Sequence, residues 1–338
     1  MDNTATMRIV PFPPAALPPR NIIPQTPEPN THAAMFQNTV RKITRLPIFA
    51  AAVAAAAVAA AIATGCSTSD GPPPWYYPNT EEHHAGMHTL REHHIRPTDW
   101  HVHIFRGGMT PEKAIERASH SGIRSAVVEN HGVEWPLSDD AKLRDYIAKA
   151  RAAKDPFTRK PLPVGIQVND RDWHKQIAPE LLAQLDYVLA DTMIMGVTPD
   201  GKRQQRLWQL KEPIRDADAW FEKYFAHCLR VVNEPISILA NPTYLPDSVA
   251  AQYDRLWTPE RMTTLIEAAK RNNVAIEIQA ASPFPKIAFI KLAKKLGAKF
   301  TFGTNNFTDK PQNLSAWFRA VEEAGLTAND FMIPQKKF

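Results

Sequence analysis

Asp99-Trp100-His101-Val102-His103 is the stretch whose reading decides the fold. On a β-strand, residues two apart project from the same face, so His101 and His103 leave one strand end together. Two imidazoles held side by side are a ready pair of metal ligands. A His-x-His pair also arises by chance on a strand, so its surroundings have to decide.

Those surroundings are regular. From Thr98 onward, short β-rich runs alternate with amphipathic segments of helical spacing, which predicts an α/β fold built on a parallel sheet. Strands are expected near 98–104, 124–130, 164–169, 186–192, 235–241, 273–279 and 299–305, seven in all. Thr110-Pro111-Glu112 and Thr258-Pro259-Glu260 each place a Thr cap before a first-turn Pro, with Glu complementing the helix dipole. Helices are expected near 111–121, 139–153, 176–184, 216–232, 259–271, 285–296 and 314–324. The segment 195–215 reads as an insertion able to form a flap over the mouth of the sheet.

In parallel sheets functional groups gather at the carboxyl ends of the strands. The last inward-facing residues are then His101 and His103, His131, Gln167, Met193, Asn241, and Asn305 with Phe307. Glu129 lies two before His131 and Asp191 two before Met193, so either carboxylate can serve as a base. Glu277 lies inward on the sixth strand, where it is expected to pair with a mouth arginine. Arg106 and Arg171 follow the first and third strands and are candidates for contacting an anionic substrate, with Asn305. His120, His174 and His227 are assigned to helices or surface, and Cys228 to the core.

The chain has 338 residues, enough for one large barrel or two average domains. Its formal charge of +5 comes from Lys and Arg interleaved with acids, without a basic stripe carrying aromatics, so no nucleic-acid partner is expected. Two cysteines, Cys66 and Cys228, exclude a disulfide framework. Residues 1–34 carry eight prolines and little periodicity and are expected to be disordered; Met35 is an alternative start. Segment 35–65 reads as a signal peptide, with Arg41, Lys42 and Arg45 before an alanine-rich apolar run from Ile48 to Ala63. Residues 66–97 read as a Pro- and His-rich tether; if it is helical, His84 and His88 share a face.

Ala63-Thr64-Gly65-Cys66 resembles a bacterial lipobox, although that motif usually has Leu where this chain has Ala63. The resemblance implies lipidation at Cys66 and a membrane-anchored protein of the cell envelope, with Ser67 pointing to a periplasm-facing outer-membrane position.

The segment from Asp99 to about Pro334 resembles the PHP (polymerase and histidinol phosphatase) family of metal-dependent phosphoesterases. Asp99-Trp100-His101-Val102-His103 matches the opening Asp-x-His-x-His, and Val128-Glu129-Asn130-His131 sits where the family has Thr-Asp-His. Gly165-Ile166-Gln167, Asp191-Thr192-Met193, Asn241-Pro242 and Gly303-Thr304-Asn305-Asn306-Phe307 follow in the family's order. Related amidohydrolases share the opening motif and are the alternative family. The resemblance implies a distorted seven-stranded (β/α)7 TIM-like barrel of the metal-dependent hydrolase type. It also implies a cluster of up to three metals, and there the chain departs: Gln167 and Asn305 stand for carboxylates, and Met193, Asn241 and Phe307 for histidines. What the match retains is His101, His103 and His131 as metal ligands for one divalent ion, Zn or Mn, or none.

Two functions follow. One is a phosphoester-type hydrolase with a reduced metal site and a small anionic substrate. The other is a pseudoenzyme that binds a ligand or a partner.

Overall fold

The computed structural model describes residues 80–105, 107–132, 134–155, 159–197, 204–210, 212–310 and 312–338. The Pro-rich leader, the signal peptide, the lipidation candidate Cys66, the start of the tether and Arg106 lie outside the described residues. No helix among the described residues is long and apolar enough to cross a membrane.

In chain order the elements are α1 (Thr80–Glu92), β1 (Thr98–Asp99), α2 (Pro111–His120), β2 (Arg124–Ser125), β3 (Asn130–His131), α3 (Asp140–Ala152), β4 (Gly165–Val168), α4 (Pro179–Leu182) and β5 (Tyr187–Asp191). A hairpin of β6 (Ile194–Val197) and β7 (Gln204–Arg206) follows, then α5 (Ala217–Val232), β8 (Ile238–Ala240), α6 (Asp247–Ala250), α7 (Tyr253–Leu256), α8 (Pro259–Arg271), β9 (Ala275–Gln279), α9 (Ile287–Lys295), β10 (Phe300–Gly303) and α10 (Ser315–Ala324). The helix starts are capped as their sequences predict: Thr110, Asp139, Asp216 and Thr258 each accept the backbone N–H three residues on. Each such cap contributes roughly 1 kcal/mol.

The main sheet has eight parallel strands in the order β2-β1-β10-β9-β8-β5-β4-β3. Its two outermost strands, β2 and β3, are separated in the chain only by residues 126–129. Along that segment Ala126 N–H and Val128 N–H donate to Asp99 O and Val102 O at 2.8 and 2.9 Å. Val127 N–H donates to Pro163 O at 3.0 Å, and Glu129 O accepts from Gln167 N–H at 3.0 Å. One extended stretch is thus bonded to the β1 chain on one side and the β4 chain on the other, and the two edges meet on it. The fold is an α/β TIM-like barrel.

The strand count differs from the seven expected because 124–131 serves two neighbours with alternate residues, so neither ladder is continuous and the stretch divides into β2 and β3. The first strand likewise shrinks to β1 and continues as single bridges, Val102 to Asn306 and His103 to Val128. Inside the barrel Ala126, Val128, Tyr187, Leu189, Ile238, Ala240 and Ala275 form an apolar plug separate from the larger core between sheet and helices. That plug closes the lumen below the strand ends, leaving the polar residues above it.

Two further segments differ from, or refine, the expectation. The tether expected to reach Pro97 gives way to α1, whose Met87 and Leu90 are buried and which packs on α10. A Cβ at Gly86 would come within 2.0 Å of the Phe318 ring, so the close approach of these two helices requires glycine there. His88 does not share a site with His84; it faces Glu92 at 3.3 Å. The insertion expected at 195–215 is the antiparallel β6–β7 hairpin followed by a short helical turn, Leu207–Gln209.

Candidate active site

Strand ends β1, β3, β4, β5, β8, β9 and β10 deliver a buried polar cluster above the apolar plug. His101 is fully buried, with Nδ1 2.6 Å from Glu277 Oε1 and Nε2 2.8 Å from Gln167 Oε1. His103 is 1% exposed; its Nδ1 lies 3.4 Å from Glu129 Oε1 and 3.3 Å from Asn130 Nδ2, and its Nε2 lies 3.1 Å from Asn305 Oδ1. The two Nε2 atoms face each other at 3.2 Å. Each imidazole therefore has a carboxylate behind it and a carboxamide oxygen in front.

The carboxylates are held in turn. Glu277 Oε2 accepts from Asn241 N–H at 3.0 Å, and Glu129 Oε1 accepts from Asn130 N–H at 2.7 Å. Asp191 Oδ1 accepts from Met193 N–H at 2.7 Å, while its Oδ2 accepts from Asn241 Nδ2 at 3.0 Å and Gln167 Nε2 at 3.4 Å. Gln279 Nε2 donates to Asn241 Oδ1 at 2.5 Å. Asn241 and Asn305 take φ values of +46° and +51°, a left-handed turn at the strand end that Asn tolerates better than most residues.

Burial is the largest influence on His101 and disfavours its protonated form. The charge and hydrogen bond of Glu277, the Gln167 bond and the Asp191 charge more than offset it, and the pKa is raised above the ordinary imidazole value. Asp191 moves the other way from a usual carboxylate: burial lifts it to about 6, despite the Met193 and Asn241 bonds and the His101 ring. Asp99, the first residue of the opening motif, touches neither ring. It accepts from Arg117 Nη2, Thr304 N–H, Thr304 Oγ1 and His101 N–H at 3.1, 3.0, 2.6 and 3.1 Å, and so ties β1 to β10 and α2.

The residues singled out from sequence divide. His101, His103, Glu129, Asp191, Gln167, Asn241 and Asn305 come together. His131 does not: Asn130 faces His103, and strand alternation turns His131 to the outside, near Asp170, Asp140 and Asp139. Burial lowers its pKa, and its Nδ1 has no hydrogen-bond partner. Arg171 is also away from the mouth, 92% buried as a side chain by its pairing with Glu234 at 3.0 Å (8% exposed). Glu277 pairs with His101 rather than with an arginine. His227 is buried on α5, where burial and the charges of Arg171 and Arg230 push its pKa down to about 3. Cys228 is buried as expected, and burial lifts its thiol to about 12.

The sequence reading missed Asn130, Gln279 and, on the expected flap, Arg206. A cavity of about 400 Å³ opens above the histidines, walled by Trp135, Met193, Trp208 and Phe307 and entered by Arg206 of β7. The Arg206 guanidinium sits 4.3 Å over the Trp135 ring, its Nη2 is 3.7 Å from Glu134, and its buried Nε has no hydrogen-bond partner. Arg206 thus stands at the mouth, where Arg171 was expected. Parity could have found Asn130, since Ala126 and Val128 already point inward; nothing in the hairpin sequence marks Arg206.

Among the described residues no group of three or more His, Cys, Asp or Glu side chains is disposed to hold a metal ion. The donor set facing the cavity is narrower: two imidazole nitrogens 3.2 Å apart, with amide oxygens of Gln167 and Asn305 beside them. Neutral imidazole nitrogens are ordinary ligands of zinc or manganese, and these two would be the ones to hold an ion. Carboxylate behind each imidazole is also how metal-ligating histidines are held. The residues fit one ion held by His101 and His103, and they do not supply the bridging carboxylate of a multinuclear cluster.

No family model matches the chain, and no curated protein matches it. Among solved structures, a dihydropyrimidinase from Brevibacillus agri NCHU1002 aligns with TM-score 0.31 and 11% identity, covering 62% of this chain and 46% of that one. A D-hydantoinase from Bacillus sp. AR9 gives TM-score 0.30 at 12% identity, and a further D-hydantoinase structure 0.30 at 13%, with the same coverages of 62% and 46%. The chain thus spans less than half the length of these proteins.

Proposed function

We propose that this chain is a metal-assisted hydrolase of the PHP type that uses one divalent ion, Zn or Mn, held by His101 and His103, and acts on a small anionic substrate through a phosphoester or related bond. The proposal includes the seven-stranded (β/α)7 form, in which 124–131 counts as one strand. One observation carries it: two buried Nε2 atoms 3.2 Å apart, each ring backed by a carboxylate. Charge supports it as well. Glu129, Asp191 and Glu277 are 0%, 3% and 1% exposed, and two neutral imidazoles leave their negative charge uncompensated unless a cation or protons join them.

A bound divalent ion supplies Lewis acidity for hydrolysis. The protein's own groups do the rest. Asp191, with a pKa near 6, takes up and returns a proton at Oδ2 close to neutrality. Glu129 and Glu277 position the rings rather than meeting substrate. Arg206, its guanidinium held over the Trp135 face, binds the substrate's anionic group through Nε, and Trp208 and Phe307 exclude water from it. The lipidated Cys66 holds the protein at the bacterial envelope, facing the periplasm.

The test is metal content of the full-length protein by plasma mass spectrometry, with His101→Ala as control, together with turnover of p-nitrophenyl phosphate and its diester. Near-stoichiometric Zn, Mn or Fe that is lost in the variant supports the reading. Less than about a tenth of an equivalent after metal loading overturns it. It would favour the second reading, a ligand-binding pseudoenzyme, which the carboxamides at Gln167, Asn241 and Asn305 support because they already satisfy the ring nitrogens and Asp191. Unchanged processing and membrane association in Cys66→Ser would remove the lipid anchor from the proposal.

A further inference from the structure

The barrel carries a second cavity at the opposite end from the histidine pair. About 400 Å³ in volume, it lies where β1 and β2 begin, between α1, the segment leading to Pro97, and the turn after α2. Its polar lining is Arg91, Arg96 and Arg124 with His83, His84, His120 and Ser121, and among the described residues no acidic side chain lines it. Met87 and Leu90 of α1 provide an apolar wall.

Three guanidiniums around one concavity repel one another, and their charge cannot be shed at any physiological pH. None of the three makes an ion pair among the described residues. Arg117, Arg171, Arg230, Arg255 and Arg261 each have a carboxylate partner, whereas Arg91, Arg96 and Arg124 are exposed around the cavity without one. A low-dielectric wall on one side focuses the uncompensated positive field into the cavity. His83 Nε2 lies 3.0 Å from Ser121 O, so this ring is spent on fixing α1 against the α2 turn and keeps the cavity walls in place.

We propose that this cavity is a second ligand site that binds a phosphate group carried on an organic moiety, with Arg91, Arg96 and Arg124 as its anion clamp. Guanidinium forks match phosphate oxygens in pairs, and phosphate offers more oxygens to three forks than a single carboxylate does. The volume exceeds that of inorganic phosphate alone, and Met87 with Leu90 gives the organic part an apolar surface. Such a group reaches the site either on a soluble phosphate ester or on an anionic phospholipid headgroup. The site is independent of the chemistry proposed for the mouth.

Full-length protein is titrated calorimetrically with glycerol 3-phosphate and inorganic phosphate, and floated with phosphatidylglycerol or phosphatidylcholine vesicles, before and after Arg96→Ala/Arg124→Ala. Thermal melting of the variant checks that it folds, and Arg206→Ala serves as the control at the mouth. Binding of the ester that weakens at least tenfold in the double variant and persists in Arg206→Ala supports the site with a soluble ligand. An excess of flotation on phosphatidylglycerol that the double variant loses supports it with a lipid headgroup. Binding unaffected by the double variant, binding lost in Arg206→Ala alone, or no binding in either arm overturns the proposal.

Discussion

Glu277→Gln strikes the group that holds His101 in place. Its carboxylate is 1% exposed and accepts twice, from His101 Nδ1–H at 2.6 Å and from Asn241 N–H at 3.0 Å. A carboxamide has one acceptor for these two donors. If its oxygen stays on His101, its NH2 meets the Asn241 N–H donor to donor. If it turns round, the NH2 faces Nδ1 and drives the imidazole proton to Nε2, the atom that confronts His103 and Gln167. The first arrangement orphans a buried donor, at about 1–3 kcal/mol; the second keeps the donors paired only by switching the His101 tautomer, and both lose the charge assistance of the carboxylate. The sum is about 2–4 kcal/mol, which lowers Tm by about 5–15 °C in a domain of this size.

The same substitution frees the ring that faces the cavity, so the affinity for Zn or Mn is expected to fall by about 10- to 100-fold. It also changes the pH dependence in the chelator-treated protein. The raised His101 pKa means that the native state binds its proton more tightly than the unfolded chain. That stabilisation is complete below the unfolded value of about 6.5 and disappears as pH rises through the folded value. Wild type should therefore lose its lead over Glu277→Gln as pH rises above 6.5. Urea unfolding followed by tryptophan fluorescence, with a calorimetric cation titration, reads all three effects. A variant within 1 kcal/mol of wild type and within twofold in cation affinity would refute the assigned role of Glu277.

The other expectations use the same assays. Because burial raises Asp191 to about 6, its unfolded form ionises first, and wild-type stability should fall by on the order of 3 kcal/mol between pH 4 and pH 6. Asp191→Asn should lack this fall; parallel stability–pH curves for the two proteins would contradict it. Gly303→Ala places a Cβ 2.0 Å from Glu277 Oε1 and 2.8 Å from His101 Cβ, so a loss of about 1–3 kcal/mol and of cation binding is expected. Native stability with native cation affinity would show that the Glu277–His101 pair can shift. Asp99→Asn leaves Arg117, 4% exposed as a side chain, without its counter-charge, and urea unfolding should register a loss of about 3–5 kcal/mol. A loss below 1 kcal/mol would mean that Thr304 and the backbone carry that junction alone.

Local signals made the elements legible. Thr-Pro-Glu at 110–112 and 258–260 marks the starts of α2 and α8, and the expected 259–271 helix has the observed bounds. What local signals could not supply was the facing of residues in a strand that pairs on both sides. His131 was read as inward because it ends the run, whereas Ala126 and Val128 in the lumen fix the parity and bring Asn130 to His103. Arg206 was illegible for a different reason: its hairpin has no periodicity, and only tertiary folding brings it over Trp135.

The polar groups around the two imidazoles also have a physical pattern. Gln167 and Asn305 stand on the Nε2 side of the two imidazoles, while Glu277 and Glu129 stand on the Nδ1 side. Negative charge thus stands behind the rings, where it fixes the tautomer and makes Nε2 more basic, and not on the face that would meet a cation. A cluster of several cations needs bridging carboxylates in front, and amide oxygens cannot bridge at comparable strength. A single ion, or a single shared proton, needs only what remains: two basic nitrogens 3.2 Å apart and neutral oxygens beside them.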